Sequence, residues 1–149
     1  MSRAATVLLV DDEIQFRQNL AERLGARGYR ILEAGSGEEA LARIRDNPVD
    51  AVLLDVLMPG SDGIAVLGHL KSIDPQIEVV MLTGQGTVET VVDAMKKGAY
   101  HYVTKPVKLK EVEFILERAV EKSRLSRQNR LFREELRRKR AHGMGEIVA

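Results

Sequence analysis

The sequence predicts an α/β fold built on a doubly wound parallel sheet of five strands, extended by a long C-terminal helix. Three observations carry this. Five short runs rich in Val, Leu and Ile are each followed by a stretch of helical periodicity. The connections are short and carry Gly, Pro or capping residues, which reads as a parallel α/β sheet rather than a sandwich or a bundle. The runs are nearly continuous in apolar residues, as strands covered by helices on both faces are.

The first strand is Thr6 to Val10, and the helix after it carries Phe16, Leu20 and Leu24 at i, i+4, i+8 before Gly25 and Gly28 stop it. The second strand, about Tyr29 to Ala34, leads to Ser36 and Glu39, which have the spacing of a capping box. The helix they open runs through Ile44 to a stop at Asn47-Pro48. The third strand, Ala51 to Leu54, runs into Asp55, followed by a Pro-Gly loop and a helix from about Gly63 to Ile73. Glu78 to Leu82 is the fourth strand. Val88, Val91, Val92 and Met95 at i, i+3, i+4, i+7 mark the helix that Gly98 ends. Tyr102 to Thr104 is the fifth strand, and after Pro106 a helical pattern starts near Lys108 and meets no Gly or Pro until Gly143.

The 149 residues suit one domain with an appendage, and the absence of cysteine excludes a disulfide scaffold, a thiolate zinc site and a cysteine nucleophile. No apolar run approaches the roughly 20 residues of a membrane span, so the expectation is a cytoplasmic protein with no membrane partner. The net charge of +1 conceals an asymmetry: residues 1–121 sum to −5 and residues 122–140 to +7. An acidic body and a basic tail suggest two parts with different tasks.

Ligands of doubly wound sheets bind beyond the carboxyl ends of the strands. Asp11 and Asp12 leave the first strand, Asp55 the third, Thr83 the fourth and Lys105 the fifth, so the fold brings all five to one rim. Three ionised carboxylates need a cation to offset their repulsion, and oxygen-only ligands beside a phosphate suit Mg²⁺. Lys105 and Thr83 then supply a compact charge and a hydroxyl to the oxygens of a transferred phosphoryl group. Asp55, alone at the end of an interior strand, is the better nucleophile for an acyl phosphate, while adjacent Asp11 and Asp12 suit direct and water-mediated metal coordination.

The motifs Val10-Asp11-Asp12-Glu13, Asp55 through Gly63, Thr83-Gly84 and Lys105-Pro106 resemble the receiver domain of two-component response regulators over about residues 5–121. The resemblance implies a flavodoxin-like strand order 2-1-3-4-5 and Mg²⁺-dependent phosphotransfer from a sensor histidine kinase to Asp55. It implies Asp12 as a direct metal ligand, Asp11 as a supporting one and the Leu57 carbonyl as another. It further implies that Lys105 contacts the phosphate, that Thr83 and Tyr102 move on activation, and that the Lys105–Pro106 bond is cis. Such a domain is a signalling phosphoacceptor that catalyses only its own phosphotransfer and dephosphorylation. Thr83 to Thr87 and Ala94 to Tyr100, followed by a long helix, are similar to the NtrC class, in which a helical linker joins the receiver to an ATPase that activates sigma-54 RNA polymerase. Gly145 to Val148 resembles the start of that ATPase. On this reading residues 1–121 are the receiver, 122–142 a helical linker and 143–149 a flexible tail, with ATPase and DNA-binding domains belonging to a longer parent chain.

Taken singly, each residue has a plainer explanation. Asp12 and Asp62 could cap helices, Thr83 could be a turn residue, Tyr102 a strand core residue and Lys105 a solvated lysine. Joint placement at four strand ends argues against all of these except for Asp62, which reads as a cap. His69, His101 and His142 match no metal or triad pattern, and Gly84-Gln85-Gly86 lacks the lysine of a P-loop and reads as a flexible loop able to move with Thr83. In the tail, Arg133 and Arg137 to Arg140 lack aromatic interleaving, so no specific nucleic-acid binding is expected. Leu125, Asn129, Phe132 and Leu136 follow 4, 3, 4 spacing, an apolar seam with an Asn inside it, which suits a parallel coiled-coil homodimer. Two other functions fit parts of the pattern. One is a stand-alone module binding a protein through Val88 to Gly98 and Tyr102. The other is a haloacid-dehalogenase-like phosphohydrolase, whose second Asp would fall where this chain has Leu57.

Overall fold

The structure, a computed structural model, describes residues 4–58, 60–84 and 88–148, and for Ser61 and residues 142–148 it describes the backbone alone. The elements in chain order are β1 (Thr6–Val10), α1 (Ile14–Ala26), β2 (Arg30–Ala34), α2 (Gly37–Asp46), β3 (Ala51–Asp55), β4 (Leu57–Met58), β5 (Ser61–Asp62), α3 (Gly63–Ile73), β6 (Glu78–Thr83), α4 (Val88–Lys96), β7 (His101–Thr104) and α5 (Leu109–Val148). The main sheet is parallel throughout, with order β2-β1-β3-β6-β7. With the two-residue strands β4 and β5 left out of the numbering, this is the expected 2-1-3-4-5 order.

Central strands β1, β3 and β6 are buried almost end to end, which is why their sequences are runs of Val, Leu and Met rather than alternating. Successive side chains point to opposite faces and divide the interior into two cores. Leu8, Val10, Val52, Leu54, Val79 and Met81 face α2 and α3, whereas Val7, Leu9, Leu53, Val80 and Leu82 face α1 and α5. The capping box is present, with Ser36 Oγ accepting from the Glu39 amide at 3.2 Å. The Glu39 carboxylate accepts from the Gly35 amide at 2.7 Å, one residue earlier than the usual reciprocal bond.

Two elements differ from expectation. The segment after β3, expected to be a loop, contains a two-residue antiparallel ribbon in which Leu57 pairs with Asp62 and Met58 with Ser61. The helix expected to stop at Gly143 continues as helical backbone to Val148, since a glycine costs a helix only about 1 kcal/mol and does not forbid it. At 1.5 Å per residue the 40 residues of α5 span about 60 Å. Its first half packs on the sheet through Val112, Ile115, Leu116, Ala119 and Val120, and Ser123 is also fully enclosed. From Gln128 to Ala141 every residue is exposed.

Candidate phosphoacceptor site

The site stands at the carboxyl end of the sheet because three adjacent strands lead there into polar residues. β1 ends at Val10, so Asp11 follows directly, fully buried, its amide donating to the Ala34 carbonyl at 3.1 Å. Asp11 Oδ1 accepts from the Glu13 amide at 2.9 Å, and Arg17 Nη1 donates to the Asp11 carbonyl at 2.8 Å while pairing with Glu33. The backbone that presents Asp11 and Asp12 is therefore held from both sides. Asp55 is the last residue of β3, 4% exposed, with Oδ1 accepting from the Leu57 amide at 3.1 Å.

One carboxylate oxygen each from Asp11, Asp12 and Asp55 lies within 4.8 Å of the others, a cluster able to hold a metal ion. Lys105, just past β7, places Nζ 2.7 Å from Asp11 Oδ2, 3.5 Å from Asp55 Oδ2 and 3.4 Å from Glu13 Oε1. That ammonium also sits 4.3 Å from the centre of the Phe16 ring. The Lys105–Pro106 bond is cis, as the resemblance implied. Thr83 ends β6, is buried, and its carbonyl accepts from the Lys105 amide at 2.8 Å. Thr83 and Lys105 are thus tied through the backbone.

The electrostatics follow from crowding. Burial, and then the Asp11 charge beside it, push the Asp55 carboxyl up to about 6, against the smaller opposing pull of the Leu57 amide and Lys105. Burial alone would lower the Lys105 ammonium, but its bond to Asp11 and the charges of Asp11, Asp55 and Glu13 outweigh that and raise it. One lysine pairs with Asp11, Asp55 and Glu13 while Asp12 stands in the same cluster, so four carboxylates face a single cation, and the residues present fit a divalent cation bound by oxygen.

Of the other sequence-selected residues, Asp62 is a cap: its Oδ1 accepts from the Ile64 amide at 3.0 Å. Asp12 caps nothing, because Glu13 occupies the N-cap of α1. Tyr102, on edge strand β7, is 40% exposed and packs beside His101. Leu57 leaves its side chain largely exposed while its amide serves Asp55. Of the loop expected at Gly84-Gln85-Gly86, Gln85 and Gly86 lie outside the described residues, as does Pro59 of the motif.

Sequence reasoning missed three supports of this site. Phe16, read only as a helix residue, is one, and Arg17, which the helical pattern did not single out, is another. The third is Gly63, where an added Cβ would come within 2.6 Å of the Val56 carbonyl oxygen and 2.9 Å of the Asp55 carbonyl oxygen. Only glycine lets α3 begin this close to the chain leaving Asp55. Its place in the Asp55-to-Gly63 motif was a signal, but the contact needs the third dimension.

Residues 7–117 match the family model described as the response regulator receiver domain. An NtrX-like response regulator of Rickettsia typhi is 40% identical over 125 residues, covering 83% of this chain and 26% of that protein. The transcriptional regulatory protein ZraR of Escherichia coli K12 is 40% identical over 114 residues, covering 76% of this chain and 26% of its own. The chain therefore spans about a quarter of the length of these curated relatives. Among solved structures, the receiver domain of NtrX from Brucella abortus superimposes with a TM-score of 0.73 at 38% identity, covering 77% of this chain and 98% of that one. A receiver domain protein described as CheY-like, from Methanospirillum hungatei, has a TM-score of 0.79 at 23% identity, covering 83% of this chain and 99% of that one, which shows the shared fold. With the acidic cluster, the cis proline and the strand order in place, the chain belongs to the response regulator receiver domain family, whose members are signalling phosphoacceptors.

Proposed function

We propose that Asp55 accepts a phosphoryl group from the phosphohistidine of a sensor kinase and that phosphorylation switches the output of a larger, NtrC-like transcription activator. The observation that carries this reading is the gathering of Asp11, Asp12 and Asp55 into one cluster, with Lys105 paired to Asp11 and Asp55. Asp11, Asp12, Asp55 and the Leu57 carbonyl would hold Mg²⁺, which supplies charge neutralisation and orients the phosphoryl oxygens. An Asp55 carboxylate oxygen attacks phosphorus, the bond from phosphorus to the histidine nitrogen breaks, and the imidazole leaves as the neutral base once it gains a proton. Lys105, already aimed at Asp55, then moves its charge onto the new phosphoryl oxygens, and the Thr83 hydroxyl follows by donating to one of them. Tyr102, one strand over and half exposed, has room to turn inward when Thr83 moves.

For the output, the support is the exposed stripe Leu125, Phe132 and Leu136, respectively 53%, 61% and 39% accessible, on a helix with no partner over its last turns among the described residues. We read it as a parallel homodimer seam, with the ATPase and DNA-binding domains of the sigma-54 class following in the parent chain and the whole acting in the cytoplasm. None of the helices among the described residues is long and apolar enough to cross a membrane. A second reading, a stand-alone module, is supported by the accessible Val88, Val92 and Met95 on α4 beside Tyr102.

The test is phosphate incorporation from acetyl phosphate with Mg²⁺. Wild type should be labelled and Asp55→Asn, which keeps size and removes the nucleophile, should not. Undiminished labelling of the variant ends the assignment. Oligomeric state with and without a beryllofluoride phosphate mimic then separates a dimer-switching activator from a monomeric module.

A further inference from the structure

The basic tail is not simply a solvated face. Four of its cations reach back to the rim of the sheet opposite the acidic pocket. Arg124 Nε lies 3.4 Å from Asp50 Oδ1, and Arg127 places Nη1 3.3 Å from the same oxygen and Nη2 2.8 Å from Asp74 Oδ2. Arg127 Nη2 also donates to the Val49 carbonyl at 2.6 Å, Arg130 donates to Gln76 Oε1 at 3.0 Å, and Lys122 pairs with buried Glu78. Arg133, Arg137 and Arg138, further along, have no body contact recorded among the described residues. At about 100° per residue, Ser123, Arg124, Arg127 and Arg130 centre on one side of α5 and Leu125, Asn129, Phe132 and Leu136 on the other, roughly 180° apart. Gripping face and seam therefore share the same two turns without competing.

We propose that Arg124 and Arg127, clamped on Asp50 and Asp74, are positioning residues for self-association. They extend the rigid body beyond Ser123 to about Arg130 and hold Leu125 and Asn129 outward as preformed helix, ready for a second copy of this chain. A helical extension with no such anchor is marginal in water, and its ordering would be charged against dimer formation. Two copies meeting through the seam carry their domains on the outer sides, so neither clamp has to open. The self-association half of this inference rests on the seam reading above.

The experiment uses the full chain, comparing wild type with Arg124→Gln/Arg127→Gln and with the equally neutralised control Arg133→Gln/Arg137→Gln. Amide hydrogen exchange is read on monomer at low concentration, and dimer affinity by sedimentation. The clamp variant should lose protection over residues 124–132 while β1 and β3 keep theirs, and should dimerise about tenfold more weakly with its seam intact. The control should keep both protection and affinity. Unchanged protection at 124–132, or lost protection with unchanged affinity, overturns the proposal. A wild type that is monomeric throughout removes the seam and with it the self-association half, while the exchange result still decides whether the clamp extends the rigid body.

Discussion

The two rims of the sheet each carry three carboxylates, and they are treated in opposite ways. At the amino-terminal rim Asp50, Asp74 and Glu78 face Arg124, Arg127, Lys71 and Lys122, cations drawn from two helices. At the carboxyl-terminal rim the cluster of Asp11, Asp12 and Asp55 has a single lysine, which reaches Asp11 and Asp55 and is also drawn to Glu13. The first rim is electrically matched and serves structure. The second is under-compensated, and on the function proposed above a metal ion and a phosphoryl group would use that imbalance. The lesson is that a buried carboxylate points to chemistry when its neighbours leave it short of positive charge, rather than by its burial alone.

Geometry at the active rim is the first thing to break. Gly63→Ala forces a methyl group against the Val56 and Asp55 carbonyl oxygens, which are backbone and cannot swing aside. A loss of about 2 to 3 kcal/mol is expected in urea unfolding, together with slower phosphorylation. By contrast Gly68→Ala, with nothing within 4 Å of the added carbon, should be neutral or slightly stabilising.

Metal addition sharpens the contrast between rims. Mg²⁺ at a hundred times its Kd should stabilise wild type by about 2.7 kcal/mol. Asp12→Ala should lose most of that gain and Asp50→Asn should retain it, as followed by thermal unfolding with and without EDTA. A gain that survives Asp12→Ala places the metal elsewhere.

Smaller still is the coupling from Thr83. Thr83→Ala should accept phosphate at Asp55 yet lose one charge-assisted hydrogen bond of about 1 to 3 kcal/mol in the active arrangement only. Amide chemical-shift changes from Val88 to Tyr102 on adding beryllofluoride should shrink accordingly. Changes as large as in wild type would take Thr83 out of the coupling.

What could be read from the sequence was whatever is local or periodic. The strands stand out because β1, β3 and β6 bury both faces, the α2 cap because Ser36 and Glu39 are three residues apart, and the acidic pocket because strand ends in such a sheet converge by topology. The seam spacing was readable for the same reason. Hidden were the contacts between distant residues. Arg127 and Asp50 are 77 positions apart, and a basic run looks the same whether it is solvated or clamped. The Gly63 approach and the hold of Arg17 on Asp11 span only six to eight positions but follow no helical or strand period, so spacing alone does not show the contact. The ribbon Leu57–Met58 with Ser61–Asp62 was missed because two residues per strand are too few to show any period.

The central claim, that one rim is matched and the other short of positive charge, makes Asp55→Asn and Asp50→Asn differ in sign. Because folding raises the Asp55 carboxyl from 3.8 to about 6, the folded state holds that proton more tightly than the unfolded chain. Stability contributed by Asp55 therefore falls as pH rises through that window, by up to about 3 kcal/mol, and stays lost above it. In urea unfolding at pH 7 in EDTA, Asp55→Asn should be more stable than wild type, with the advantage gone near pH 3.5. Asp50→Asn, which leaves Arg124 and Arg127 without their shared carboxylate, should be less stable by about 1 to 2 kcal/mol at pH 7, the partial exposure of both arginines keeping the loss modest. Variants that shift stability in the same direction at pH 7, or an Asp55→Asn protein weaker than wild type there, would contradict the distinction between the rims.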